Sequence, residues 1–262
     1  MTVQTLIPTM NQTDFSVLER MNVRTDAIVV NQCDRFSRDI FERNGRKIEF
    51  YSLPERGIGQ SRNFSLMRAS GDIVLFSDDD IRYYDDYESV ILKAFEDNPD
   101  ADMIAFNLCF KGGTRKRKKI EKIKKVKPYK TGSFGAARIA VKLDAVRKNN
   151  LCFSLLFGGG AKYSAGEDVL FVTDAIRAGM KMFEIPITVG EIEDSDSTWF
   201  KGHNEKFFYD KGVLFAAMGK KTAFLRCIRY VLRYSSECKE QLGVKKAFEL
   251  MLKGCKDFKK KS

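Results

Sequence analysis

A single α/β domain on a mostly parallel, Rossmann-like central sheet is what this sequence predicts, and three observations carry the prediction. Short apolar runs rich in Val, Ile and Phe recur along the first 110 residues, each bounded by turn residues. Segments with helical spacing lie between several of them, which favours parallel strand–helix–strand crossovers. One run, Ile73-Val74-Leu75-Phe76, ends abruptly in Ser77-Asp78-Asp79-Asp80, and ligands of such sheets bind at the carboxyl ends of strands.

Taken in order, Val3 to Pro8 reads as a first strand stopped by proline, and residues 14–22 as a short helix with Phe15, Leu18 and Met21 on one face. Residues 27–31 form a second buried strand. A helix is expected over 35–43, closed by Gly45, and a third strand over 47–52. Gly57-Ile58-Gly59-Gln60-Ser61-Arg62-Asn63 then opens a helix to about Ser70, where Gly71 acts as a stop. The turn offers free backbone N–H groups to an anion, and Arg62 brings a bidentate fork within reach of the same phosphate. The other reading of this stretch is a plain capped helix with a solvated arginine.

The acidic strand end follows at once. Three adjacent carboxylates are costly without a cation, and hard oxygen ligands suit Mg²⁺ or Mn²⁺ bridging a diphosphate. Residues 83–97 read as a surface helix and 102–108 as a fifth strand. After the basic stretch 111–130, residues 133–141 suit a strand and a short helix starts at Leu143. Gly158-Gly159-Gly160 marks a closely approached loop. Glu167 and Asp168 open a helix over 169–178, where acids also serve simply as partners of the helix dipole. A short strand is expected over 182–186, then an irregular polar segment over 191–211 holding Ser195, Ser197, Thr198, Trp199, His203 and Asn204. Loops of that length often close over ligands. His203 suits a metal or a phosphate, and equally a solvent-exposed position without a role.

The last segment reads as helical. Phe224, Leu225, Ile228, Val231 and Leu232 form one stripe, with Arg226, Arg229 and Arg233 opposite, and Phe248, Met251, Leu252 and Cys255 form a second. Basic amphipathic helices either cap a core or lie on an anionic membrane, and periodicity alone does not choose.

The charge is unevenly spread. Of a net +11, residues 111–130 contribute eleven Lys or Arg against one Glu, and residues 219–262 thirteen against four, so the rest of the chain is net acidic. An acidic body with two basic elements suits an enzyme that touches an anionic surface, not a uniformly basic nucleic-acid sleeve. The stretch 111–130 also reads as a solvated charged loop, and it lacks the interleaved aromatics that base stacking needs. Six scattered cysteines without a Cys-x-x-Cys pair and a single histidine argue against zinc and for reduced thiols. No signal core and no run of membrane-spanning length is visible, so a cytoplasmic location is expected, with peripheral contact to the inner face of the membrane.

Together, Leu6-Ile7-Pro8-Thr9-Met10-Asn11, Gly57 to Asn63, Ser77-Asp78-Asp79-Asp80 and Glu167-Asp168, in that order, resemble the family 2 nucleotide-sugar glycosyltransferases of GT-A fold. The likeness covers about residues 3–205. It departs at the second strand, which ends in Asn31-Gln32-Cys33-Asp34 instead of a run of acids. The resemblance implies a GT-A domain over 1–212, with 111–130 as a basic insertion, and a basic helical extension over 213–262. It also implies an inverting hexosyl- or related transferase that uses Mn or Mg. Pro8, Asn11, Asp34, Arg62, Asn63, Asp78 and Asp79 would bind the nucleotide-sugar; Asp80, Asp78 and His203 would hold the metal. Asp168, with Glu167, would supply the catalytic base. A glycan or polyprenyl-linked acceptor in bacterial surface polysaccharide synthesis is the expected partner, and nucleic acid is not. A nucleotidyltransferase of related fold and a non-enzymatic nucleic-acid binder are the competing readings. The first loop, Pro8-Thr9-Met10-Asn11-Gln12, lacks the former's glycine-rich basic signature.

Overall fold

The computed structural model describes residues 1–111, 119–193, 202–236, 238 and 242–261. In chain order the elements are β1 (Val3–Met10), α1 (Val17–Arg20), β2 (Asp26–Gln32), β3 (Ser37–Arg43), β4 (Arg46–Leu53), α2 (Ile58–Arg68), β5 (Ile73–Phe76), β6 (Ile81–Tyr83), α3 (Tyr87–Asp97), β7 (Met103–Lys111), β8 (Lys124–Lys125), β9 (Ile139–Lys142), α4 (Leu143–Lys148), α5 (Glu167–Arg177), β10 (Met182–Glu193), α6 (Glu205–Ala217), α7 (Ala223–Arg233) and α8 (Val244–Lys261). Two 3₁₀ turns, Pro128–Ser133 and Ala136–Arg138, precede β9.

One sheet runs in the order β3-β4-β2-β1-β5-β9-β7-β10-β6, with β8 pairing to β10. The strands β4, β2, β1 and β5 are mutually parallel; β9 enters antiparallel between β5 and β7, and β10 lies parallel to β7. Successive side chains of a strand face opposite ways, so each central strand feeds two cores. Leu6, Ile28, Val30 and Phe76 pack with Leu66 of α2 and Phe171 and Val172 of α5 on one face. On the other, Ile7, Ala27, Val29 and Leu75 pack with Leu18 of α1 and Tyr87, Ile91 and Phe95 of α3. Burial on both faces explains why these strands read as unbroken apolar runs.

Several expectations need correction. Residues 37–43 form not a helix but β3, antiparallel to β4 through the turn Asn44-Gly45, where φ is +53° and +72°. Two consecutive left-handed residues make the tight turn that matches strand twist, and Asn-Gly is its sequence signature. The first helix is shorter than 14–22, because Phe15 lies outside it and stacks on Phe41 and Phe50. The helix expected over 83–97 starts only at Tyr87, because Ile81–Tyr83 pairs antiparallel with β10. The strand expected over 133–141 begins at Ile139. The strand expected over 182–186 extends to Glu193, carried past its bulges by pairing with β7. Of the irregular stretch 191–211, residues from Glu205 on are helical, while Ser195, Ser197, Thr198 and Trp199 lie outside the described residues, as do Arg115 to Lys118.

The helices α6, α7 and α8 share a separate core of Phe208, Ala216, Cys227, Val231, Ala247, Met251 and Cys255. The expected domain boundary at residue 213 falls inside α6, whose Leu214 also packs with Phe157, Tyr163 and Leu170 of the sheet domain. Close crossing of α6 and α8 depends on two glycines. A Cβ on Gly212 would sit 1.9 Å from the Met251 carbonyl oxygen, and one on Gly254 would sit 2.2 Å from that of Tyr209. Gly212→Leu is therefore expected to destabilise the protein by about 3 kcal/mol through overpacking. Calorimetry reads this as a lowered Tm, and an unchanged Tm would show that the two helices do not cross this closely.

Candidate active site

The acidic strand end, the start of α2 and the start of α5 meet at one buried guanidinium. Arg62 is 4% exposed; Nη2 donates to Asp78 Oδ1 at 2.8 Å and Nη1 to Glu167 Oε1 at 2.9 Å. Its Nε is buried without a hydrogen-bond partner, and the guanidinium lies 5.4 Å from the Phe153 ring centroid. Burial opposes the charge, but Asp78, Glu167 and Asp168 outweigh it and hold Arg62 above its ordinary pKa. The fork expected to grip a donor phosphate is thus occupied by two carboxylates.

The Gly57-to-Asn63 turn is likewise used internally. Gly57 N donates to Gln32 Oε1 at 2.6 Å and Ile58 N to the Gly159 carbonyl at 3.0 Å, so these N–H groups are not free for an anion. Gly59 is needed for close approach, since a Cβ there would lie 2.6 Å from the Ser154 carbonyl oxygen. Asn63, expected at the nucleotide, exchanges two hydrogen bonds with the Phe153 backbone, at 2.9 and 2.7 Å. Together these contacts clamp the 153–160 loop onto α2.

The residues expected at the nucleoside stand at or just beyond the carboxyl ends of β1 and β2. Pro8 is buried opposite Val30, Asn11 is exposed with φ +53°, and Asp34 is exposed and paired with Arg56 at 2.8 Å. The rim is held by Thr9, Gln12 and Asn31, to which the sequence assigned no role. Gln12 N donates to Asn31 Oδ1 at 2.9 Å, and Asn31 Nδ2 returns a bond to the Gln12 carbonyl at 3.0 Å. Thr9 Oγ1 donates to Asp79 Oδ2. Below, buried Tyr83 donates to Ser77 Oγ at 2.7 Å, fixing the turn that presents the aspartates. Asp78 and Asp79 are half-buried and Asp80 is exposed.

Among the described residues, no three His, Cys, Asp or Glu side chains gather into a cation site on their own. Asp78, Asp79 and Asp80 offer carboxylate oxygens, the hard donors that Mg²⁺ takes together with substrate phosphate and water. His203 stands before α6 with its ring 4.8 Å from that of Phe207.

Asp168 completes the site from the first turn of α5. Gly166, at φ +118°, packs so tightly under Leu214 of α6 that a Cβ would lie 2.6 Å from it. Asp210 of α6 accepts from Ser164 N and Oγ, both at 3.0 Å, fixing the loop that leads into α5. Asp168 accepts from Val169 N at 2.7 Å and borders Gly135. Burial first, then the neighbouring Glu167, push its carboxyl up to about 7 against the pull of Arg62. Lys211 of α6 faces the same group: burial pushes its pKa down while Asp168 and Asp210 hold it up. Reading 191–211 as irregular hid this lysine; an apolar pattern through Phe207, Phe208, Val213 and Leu214 was the available signal.

The folded chain holds the Asp168 proton to about pH 7, the unfolded chain only to about the ordinary aspartate value of 3.8. Between those values the native state binds more protons, so this group destabilises it progressively as pH rises from about 4 to 7. Asp168→Asn is expected to raise the Tm of the unliganded protein at pH 8 and to flatten the pH dependence across that window. A variant less stable than the parent at pH 8 would contradict this placement. Arg62→Met, which strands buried Glu167 and leaves half-buried Asp78 unpaired, is expected to cost about 3 kcal/mol in denaturant unfolding.

The model of glycosyl transferase family 2 matches residues 8–153. The crystal structure of S. aureus TarS 1-349 in complex with UDP-GlcNAc aligns with TM-score 0.61 at 16% identity, covering 83% of this chain and 66% of that one. TarS 1-349 alone aligns with TM-score 0.61 at 14% identity, covering 100% and 92%. The Pyrobaculum calidifontis mannosyltransferase PcManGT, in complex with GDP-Man and Mn²⁺, aligns with TM-score 0.50 at 12% identity, covering 100% and 76%. At these identities the likeness shows the fold, which is of the GT-A type. No curated protein sequence matches. With more than half of its residues matched by the family model, and its acidic strand end inside that match, the chain belongs to glycosyl transferase family 2.

Proposed function

We propose that this glycosyltransferase is an inverting, metal-dependent enzyme moving a hexosyl or related sugar from a nucleotide-sugar donor to an acceptor hydroxyl. The observation that carries the reading is Asp168. Its carboxyl, pushed up to about 7, stands beside the Asp78–Arg62–Glu167 cluster at the mouth of the sheet. Brønsted behaviour favours a general base with a pKa near the working pH.

The nucleoside lies along the β1 and β2 ends, against Pro8, Asn11 and the Gln12–Asn31 pair, with Asp34 at the rim and Asp78 and Asp79 toward the ribose. Divalent metal, Mn²⁺ or Mg²⁺, would be held by Asp80 and Asp78 with His203 as a further candidate donor, and its charge would stabilise the departing diphosphate. Asp168 takes the proton of the acceptor hydroxyl as that oxygen attacks the anomeric carbon from the face opposite the nucleotide. One displacement follows, so the new linkage has inverted configuration and no covalent sugar–enzyme intermediate is needed. Arg62 acts by holding Asp78 and Glu167 in position, with its phosphate-binding role given up to them, and Asn63 by holding the 153–160 loop.

The structural neighbours solved with UDP-GlcNAc, UDP or GDP-Man and Mn²⁺ support a nucleoside-diphosphate sugar as donor. An acceptor carried by polyprenyl diphosphate at an anionic membrane, in surface polysaccharide synthesis, fits the two basic elements. Among the described residues no helix is long and apolar enough to cross a membrane, so such contact would be peripheral.

A thermal-shift screen of UDP, GDP, dTDP and CMP is expected to give a shift with one nucleoside diphosphate that depends on Mn²⁺ or Mg²⁺. Asp80→Ala is expected to abolish that metal-dependent shift. Asp168→Asn is expected to lower sugar transfer by about 10²- to 10⁴-fold with nucleotide binding retained, and the kcat/KM of the parent to rise with pH through about 7. Full transfer activity in Asp168→Asn would rule out its role as base.

A further inference from the structure

The helix α7 is amphipathic in the opposite sense from a core helix. It turns Ala223, Cys227 and Val231 inward against α8, and these three are buried. Its larger apolar residues face out: Phe224 is 53% exposed, Leu225 66% and Leu232 74%. With half-buried Ile228 they follow helical spacing along one outward face. Exposed Arg229 and Arg233 border that face, and exposed Lys220 and Lys221 stand at its amino end. Residues 211–236 hold no Asp or Glu, and none of these four cations forms an ion pair among the described residues.

A contiguous aliphatic and aromatic stripe whose charged border within residues 211–236 is cationic suits an occupant that is apolar inside and anionic at its surface. A second copy of the chain does not meet that requirement, because the same patch on both partners would set arginine against arginine. A stripe of four side chains is also far too small for a stable dimer. An anionic lipid bilayer meets it: an amphipathic helix lies in the interface plane, apolar face in the acyl boundary and basic residues at the headgroups.

The surroundings extend the same face. Gly132, in the 3₁₀ turn Pro128–Ser133, packs toward the Met218 methyl at the end of α6, with 3.8 Å from a built Cβ. Tyr129, Lys125 and Lys127, a few residues before that contact, are exposed, as are Lys220 and Lys221 just after it. The segment continues to Gly135, against Asp168.

We propose that α7 is a membrane-docking helix, inserting Phe224, Leu225, Ile228 and Leu232 into an anionic leaflet with Arg229, Arg233, Lys220 and Lys221 at the headgroups. The inference goes beyond the transferase reading, and lipid binding is measured without donor or acceptor.

The test is flotation of the full chain with phosphatidylcholine vesicles with and without phosphatidylglycerol, at low and high salt. Binding is expected only with the anionic lipid and is expected to fall with salt. Arg229→Gln with Arg233→Gln should lower the partition coefficient by roughly 20-fold, about fivefold per charge removed. Leu225→Ser with Leu232→Ser should lower it by roughly tenfold or more. These side chains are exposed, so thermal unfolding and the shift given by nucleoside diphosphate are expected to stay as in the parent, which separates loss of docking from loss of fold or donor site. Three results would overturn the proposal: no flotation with anionic vesicles; equal flotation of both double variants and the parent; or a dimer in solution that Leu225→Ser with Leu232→Ser dissociates.

Discussion

Burial of Arg62 between Asp78 and Glu167 is the interaction on which the site depends. These three residues come from α2, the end of β5 and the start of α5, which are far apart in the chain. A buried ion pair is a weak source of net stability, because desolvation consumes most of the attraction, but breaking one leaves uncompensated charge. Its effect here is geometric: the two helices and the strand end are held in one arrangement. The supporting contacts have the same purpose. Gly59 lets α2 approach Ser154, Asn63 clamps Phe153, and Phe153 stacks on Phe171 of α5 with ring centroids 4.3 Å apart.

That arrangement sets the electrostatics. One guanidinium faces three carboxylates, so local charge stays negative and the least compensated acid, Asp168, holds its proton to near neutral pH. The same excess of negative charge favours a cation at Asp78 and Asp80 once donor phosphates are present to complete its shell. Lys211 adds a desolvated amine that faces Asp168 and Asp210. The helical layer is therefore part of the site: α6 brings Lys211, Asp210 and Leu214 against the loop that presents Asp168.

The same layer divides the molecule by chemistry. The sheet domain buries its strands on both faces and carries the acidic mouth, whereas α7 leaves an apolar and basic face outward. The segment from Lys124 to Gly135 connects the two, running from its pairing with β10 past Met218 to Asp168.

Local chemistry alone made the central strands, the acidic strand end, the order of the four motifs and the starts of α2 and α5 legible. A strand buried on both faces must be apolar throughout, and a carboxylate cluster at its end is visible in any register. The Asn44-Gly45 hairpin was also legible, as a turn signature, but helical spacing over 35–43 concealed it. Other features depended on long-range contacts that no local pattern encodes. The contact of Arg62 Nη1 with Glu167, 105 residues away, was not visible in the sequence. Nor were the bonds that tie Asn63 and the glycine turn to the 153–160 loop. Lys211 became a neighbour of Asp168 only through the packing of α6. In α7, periodicity revealed an apolar stripe but not its direction. Small Ala223 and Cys227 allow close approach to α8 while Leu225 and Leu232 do not face it, so which stripe is covered is settled by the neighbouring helix and not by hydrophobicity.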